Sequence, residues 1–153
     1  MLSAKLASTL TGQPHGPDMT EFRQVTDQFS VAPQIELDDI PRAAEAGFTL
    51  LINNRPDGEQ PGQPTSAEVE AAAKAAGLAY AHIPVAGGPT PATVNAEMAL
   101  VAEASGPILA FCRSGTRSIM TWSIGQAISG ERSRAELIAL GAKAGYDLSG
   151  VLG

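Results

Sequence analysis

Apolar runs and helix-forming runs alternate along most of the chain. Phe22 to Val31 (FRQVTDQFSV) alternates enough to predict one or two short strands. Glu36 to Ala46 (ELDDIPRAAEA) reads as a helix, with Asp38 or Asp39 as cap, Pro41 tolerated in the first turn and Gly47 as the stop. Phe48 to Ile52 (FTLLI) is a buried strand. Asn53 to Pro64 (NNRPDGEQPGQP) is a loop broken by Pro and Gly, and a loop of that length in a compact domain is often functional.

The same alternation continues to the C-terminus. Thr65 and Glu68 have capping-box spacing, and Ala67 to Ala76 is rich in helix formers. Leu78 to Val85 (LAYAHIPV) is a strand, followed by a turn at Ala86 to Pro89. Thr90 as cap and Pro91 at the first position open a helix that runs to about Ala104. Pro107 to Phe111 (PILAF) is wholly apolar and reads as a strand. CRSGTRS, from Cys112 to Ser118, then leads into a helix from Ser118 to about Ser129. Ser133 to Ala144 is a last helix, and Glu131–Arg132 and Arg134–Glu136 pair charges on a solvated face. Strands alternating with helices through short connections predict an α/β fold, a mostly parallel central sheet flanked by helices. Ligands of such sheets bind beyond the carboxyl ends of strands.

Composition narrows the function. The 153 residues suit one domain, read as 21–153 behind a flexible lead-in at 1–20. One cysteine excludes an internal disulfide, a Cys-x-x-Cys redox pair and a Cys-rich zinc site. With only His15 and His82 as imidazoles, no metal or other cofactor is expected. A net charge of −6 argues against a nucleic-acid partner. No apolar run is long enough for a membrane helix and the first ten residues lack a secretory core, so a cytoplasmic protein is expected.

A lone cysteine at a strand end is most often a small buried hydrophobe. Here it is followed by Arg113, Ser114, Gly115, Thr116, Arg117 and Ser118, which packing alone does not demand. Gly115 permits a sharp turn, and the loop N–H groups of Arg113, Ser114, Gly115 and Thr116 can converge into an anion nest. The following helix points its positive end at the same place, and Arg117 adds a planar fork suited to an oxyanion. Each feature favours a thiolate, so Cys112 is the candidate nucleophile and an oxyanion its substrate. If phosphate is that substrate, Asp57 and Glu59 of the long loop are the candidate proton donors. Asp57-Gly58 is also an ordinary turn pair. Arg55 can contact the anion or be merely solvated. His82 reads as a hydrogen-bonded structural histidine, His15 as solvated, and Met98, Met120 and Trp122 as core or partner-facing residues. Trp122 with Leu137, Ile138 and Leu140 could form a contact surface, which leaves the oligomeric state open.

Cysteine, a glycine-bearing loop and Arg-Ser between a strand and a helix resemble the phosphate loop of protein tyrosine and dual-specificity phosphatases. More widely, Phe22 to Ser129 resembles the phosphatase-like domain of beta-lactamase-hydrolase-like proteins, through FRQVTDQFSVAPQI, AGF, INNRPDGEQ, the IPV of Ile83 to Val85, and FCRSGTRS. The resemblance implies a three-layer cysteine-phosphatase-like fold, Cys112 as nucleophile, Arg117 as oxyanion clamp and Ser118 assisting the leaving thiolate. Two features depart from the phosphatase pattern. Four residues separate Cys112 from Arg117 where those phosphatases have five, with Phe111 in place of the usual His. The stretch where they carry an acidic Asp is Ala86-Gly87-Gly88. Rhodanese-type sulfurtransferases do use a six-residue loop from Cys to Arg, although their upstream Asp-x-Arg and Gly-His-Ile are absent here. Three readings follow: a phosphatase-like hydrolase working through a phosphocysteine, a sulfurtransferase passing a persulfide from a sulfur donor to a thiol acceptor or cyanide, and an inactive module that binds a phosphorylated or acidic partner.

Overall fold

The computed structural model describes residues 20–152. Except for Thr20, the expected lead-in lies outside the described residues, and so does His15. The elements in chain order are β1 (Arg23–Thr26), β2 (Phe29–Ala32), α1 (Asp39–Glu45), β3 (Leu50–Asn53), α2 (Ser66–Ala75), β4 (Ala79–His82), α3 (Pro91–Glu103), β5 (Ile108–Phe111), α4 (Thr116–Ser129) and α5 (Arg134–Ala144). They follow the order expected from the pattern, with boundaries moved by one to three residues.

The five strands form one sheet in the order β1-β2-β5-β3-β4. β1 runs antiparallel to β2, and the other three pairings are parallel. β5 is central, and all four of its residues are buried. This explains its continuous apolar sequence, because a parallel strand covered on both faces has no solvated side. Successive side chains of a strand point to opposite faces. Accordingly Ile108 and Ala110 join a core with Phe29, Ile52, Ile119 and Trp122, while Leu109 and Phe111 join a second with Ile40, Leu51 and Val69. Helices α4 and α5 and part of α3 cover the first face, and α1 and α2 cover the second, giving three layers. Trp122, expected as core or partner-facing, is 2% exposed and stacks on Phe29 at 4.9 Å between ring centroids.

Local chemistry sets the helix starts. Thr65 and Glu68 form a reciprocal capping box at α2, as their spacing indicates, and Thr90 forms one with Thr93 at α3. Asp38 is the cap position of α1 but makes no side-chain cap bond; Asp39 instead accepts from the Glu36 N–H at 2.8 Å. In place of the expected neighbouring charge pairs, Arg132, just ahead of α5, pairs with Glu136 in the first turn of that helix at 2.9 Å.

The sheet register places the site. Ala32 and Asn53 both lie opposite Phe111, and Asn53 lies opposite His82. The carboxyl ends of the parallel strands therefore stop in one row. The chain segments after them, beginning at Pro33, Asn54, Ile83 and Cys112, converge on one edge.

Candidate active site

Cys112 is fully buried at the end of β5. Its sulfur accepts a hydrogen bond from the Gly115 N–H at 3.1 Å, which closes the loop into a tight turn around Sγ. Gly115 caps α4 with φ +88°, a left-handed conformation that favours glycine. Because of that turn, α4 starts at Thr116, two residues earlier than its sequence suggests. Arg117 thus belongs to the first helical turn rather than to the loop. The loop is only partly the nest its sequence implied. The Gly115 N–H faces the sulfur, whereas the Thr116 N–H goes to the Ser114 hydroxyl, which also bonds Thr116 Oγ1. Arg113 is exposed, and its carbonyl accepts from the Gln34 N–H at 3.1 Å.

Ser118 is the third residue of α4, fully buried, and its Oγ has no hydrogen-bond partner. A buried hydroxyl in that condition normally finds a partner. This one is left with donor capacity at the end of the sheet where Cys112 sits.

Arg117 is held by the long loop. Its Nη1 and Nη2 donate to the two oxygens of Glu59 at 2.8 and 2.9 Å, and Nη1 also donates to the Val85 carbonyl at 2.7 Å. The Glu59 bonds, and then the charge of the Cys112 sulfur, hold the guanidinium above its ordinary value against the effect of burial. The Arg117 bonds, with help from Arg55, hold the Glu59 carboxyl down to about 2. Glu59 was one of two acids expected as proton donors. The geometry gives it the opposite character: it is ionised and accepts hydrogen bonds only.

Arg55 is 2% exposed. Its Nε donates to Glu59 at 2.8 Å, Nη1 to Gln34 at 2.9 Å and Nη2 to Gln60 at 3.0 Å. The anion that Arg55 holds is therefore Glu59's own carboxylate, so Arg55 is neither solvated nor free to meet an outside anion. Asp57 is exposed and accepts from the Ser66 N–H at 2.8 Å, at the first residue of α2. The structure uses it as a helix-start acceptor and does not bring it to Arg117. His82 shares a hydrogen bond with the Arg55 carbonyl at 2.8 Å, the structural role expected of it.

Two features of the site were not anticipated from sequence. Tyr146, just past α5, donates its hydroxyl to the Ser114 carbonyl at 2.9 Å and so braces the loop from behind. Beneath the site, Asn54 donates to both Glu97 (2.9 Å) and the Ile83 carbonyl (3.0 Å), and its own N–H bonds the Phe111 carbonyl next to Cys112. Glu97 is fully buried, and burial pushes its carboxyl up to about 7 against the pull of the Asn54 bond. A signal for Glu97 existed: it is the one charged residue of α3 before the terminal Glu103. Tyr146 left none. Among the described residues no group of three His, Cys, Asp or Glu side chains could hold a metal, and no helix is long and apolar enough to cross a membrane.

A family model described as "Beta-lactamase hydrolase-like protein, phosphatase-like domain" matches residues 21–129. A beta-lactamase hydrolase-like protein of Agrobacterium fabrum is 38% identical over 126 residues, which is 82% of this chain and 29% of that protein. One from Xylella fastidiosa is 38% identical over 125 residues, 81% of this chain and 29% of that protein. The chain thus spans under a third of these relatives' length. Among solved structures, a Neisseria meningitidis protein provisionally assigned as a phosphatase superposes with a TM-score of 0.75 at 29% identity, over 85% of this chain and 92% of that one. Tk-PTP in its active form has a TM-score of 0.68 at 15% identity, over 86% of this chain and 90% of that one, a likeness of fold.

Proposed function

The chain belongs to the beta-lactamase hydrolase-like phosphatase-like domain family, and on that premise we propose that it hydrolyses a phosphate monoester through Cys112. The observation that carries this reading is the tight turn in which Cys112 Sγ receives the Gly115 N–H, directly followed by the helix that carries Arg117. A buried sulfur, a backbone donor and a helix start meeting at one point form a place suited to an oxyanion. The cysteine-phosphatase-like fold supports the same reading.

In the proposed reaction the Cys112 thiolate attacks phosphorus and a phosphorus–sulfur bond forms. The ester P–O bond breaks, and the alkoxide leaves with a proton taken from solvent or an acid. Water then attacks phosphorus, the P–S bond breaks, inorganic phosphate departs and the thiolate returns. Arg117 would hold the equatorial oxygens, with Glu59 fixing the plane of its guanidinium. The Ser118 hydroxyl would donate to sulfur as the thiolate leaves, which gives its unpartnered Oγ a purpose. Arg113, Ser114 and Thr116 would contribute the rim and the backbone of the anion site.

A second reading draws on a specific observation, the four-residue spacing between Cys112 and Arg117 together with the lack of a carboxylate at Ala86-Gly87-Gly88. In it the thiolate attacks the outer sulfur of thiosulfate, the S–S bond breaks and sulfite leaves. The resulting persulfide then gives its terminal sulfur to cyanide or a thiol. One experiment separates the readings. The protein is incubated with p-nitrophenyl phosphate and, separately, with thiosulfate plus cyanide, with Cys112→Ser as control. Cys112-dependent phosphate release sustains the hydrolase, and thiocyanate formation in its place overturns it. Neither product would leave an anion-binding module.

A further inference from the structure

Three hydrogen bonds connect a surface cation to the buried sulfur. Arg23, on the edge strand β1, donates from Nη1 to the Tyr146 hydroxyl oxygen at 2.9 Å. The Tyr146 hydroxyl donates to the Ser114 carbonyl at 2.9 Å. The Gly115 N–H donates to Cys112 Sγ at 3.1 Å. The last two bonds involve opposite ends of one group, because the Ser114 carbonyl and the Gly115 N–H belong to the same peptide plane. From this juxtaposition we propose that Arg23 and Tyr146 are positioning residues that aim and polarise the Ser114–Gly115 peptide, so that its N–H stabilises the Cys112 thiolate.

The physics has two parts. The peptide group is planar, so fixing the direction of its C=O fixes the direction of its N–H. A carbonyl that accepts a hydrogen bond also makes the N–H of its own amide a better donor, by resonance, and chains of such bonds strengthen each link by about 10–30%. The relay begins at a positive charge, which gives it one polarity throughout, from guanidinium to phenol to amide to sulfur.

The surroundings fit the assignment. Burial pushes the Tyr146 phenol above its ordinary range against the pull of Arg23, so the hydroxyl keeps the proton it donates. The Arg23 guanidinium also lies over the Tyr146 ring, 5.3 Å from its centroid, and its Nε is paired with Glu21 at 3.1 Å. A Cβ on Gly115 would collide with the Tyr146 hydroxyl, so glycine is what lets the phenol come this close. Tyr146 lies beyond residues 21–129, the span the family model matches.

The proposal rests on Cys112 acting as a thiolate, which the hydrolase and sulfurtransferase readings share, and its test needs no substrate. The second-order rate of alkylation by iodoacetamide is measured across pH for the full chain and for Tyr146→Phe, Arg23→Gln, Arg23→Lys and the Tyr146→Phe/Arg23→Gln double variant. Phe keeps the ring and loses only the hydroxyl. Tyr146→Phe is expected to slow alkylation at pH 6 about two- to tenfold, the upper figure being the full worth of the Gly115–sulfur hydrogen bond that the phenol aims. At high pH, where every thiol is ionised, its rate should equal that of the native chain. Arg23→Gln should slow the low-pH reaction less, the double variant should match Tyr146→Phe because the two residues act in series, and Arg23→Lys should restore most of the native rate. A Tyr146→Phe profile that superposes on the native one overturns the proposal. So does a loss equal at low and high pH, which would report altered access to the sulfur rather than a less stable thiolate.

Discussion

Glu59 grips Arg117 with both carboxylate oxygens, at 2.8 and 2.9 Å, across 58 positions of sequence. Arg55, buried behind it, holds Glu59 in turn at 2.8 Å. The long loop therefore works as a mount: a buried arginine fixes a glutamate, and the glutamate fixes the arginine that follows the cysteine.

Glu59→Gln should lower kcat/KM for p-nitrophenyl phosphate about tenfold, since a bidentate charge-assisted pair becomes at best one neutral hydrogen bond. The pH dependence gives a second check. The Glu59 carboxyl is held down to about 2 from 4.5, so the pairing is complete above about 4.5 and is lost only as pH falls toward 2. The ratio of native to Glu59→Gln activity should accordingly stay constant from pH 5 to pH 8. A ratio that varies with pH in that window would mean that Glu59 is transferring a proton.

Asp57 accepts the Ser66 N–H at the start of α2, at 2.8 Å. Asp57→Ala should cost about 1 kcal/mol of stability, the usual loss when a helix-start acceptor is removed. Turnover of aryl phosphates should be unchanged, whatever their leaving group. The measurement is a Brønsted series of substituted phenyl phosphates on both proteins. A deficit that grows as the leaving phenol becomes more basic would return Asp57 to the reaction as its proton donor.

The contrast between these two acids shows what the sequence could convey. Elements governed by near neighbours were legible: the Thr65/Glu68 box, the Thr90-Pro91 helix start, the apolar ILAF strand and the CRSGTRS turn are all written within a few residues. The carboxyl-edge placement of Cys112 followed from the alternation of strands and helices. The roles of Glu59 and Tyr146 depend instead on partners 58 and 32 positions away, namely Arg117 and Ser114, and Arg55 adds Gln34, 21 positions away, to the nearby Glu59 and Gln60. Nothing local distinguishes a loop arginine that faces solvent from one buried under three side chains. Nor does any local pattern separate an acid that donates a proton from one that is clamped by cations.

Gly115 combines a φ of +88° with a Tyr146 hydroxyl in the space a methyl would need. Gly115→Ala should destabilise the fold by about 1–3 kcal/mol from backbone strain, with steric conflict added. Adding Tyr146→Phe removes the colliding oxygen and should recover the steric part of the loss while leaving the strain. Urea titrations of both single variants and the double variant check this. Strictly additive losses would show that the loop has moved clear of Tyr146.

Glu97 and Asn54 bring two acceptors with no partner, Glu97 Oε2 and Asn54 Oδ1, into the core beneath the site. Protonation gives Glu97 the one donor this pair lacks. Its carboxyl is pushed up to about 7 from 4.5, so the folded chain holds the proton more tightly than the unfolded one. Stability from this group is complete below about 4.5, declines as pH rises through the interval, and is gone above about 7, a change on the order of 3 kcal/mol. Glu97→Gln keeps the shape and supplies a permanent donor, so it should flatten that slope and leave the variant more stable than the native chain at pH 8. Urea midpoints measured at pH 5 and pH 8 on both proteins decide the matter. Parallel declines in the two would mean that Glu97 is not the titrating group. Because the Asn54 N–H bonds the Phe111 carbonyl beside Cys112, ionisation of Glu97 should also loosen the strand end that presents the sulfur. The same comparison should therefore show Glu97→Gln retaining p-nitrophenyl phosphate turnover at pH 8 relative to pH 6 better than the native chain does.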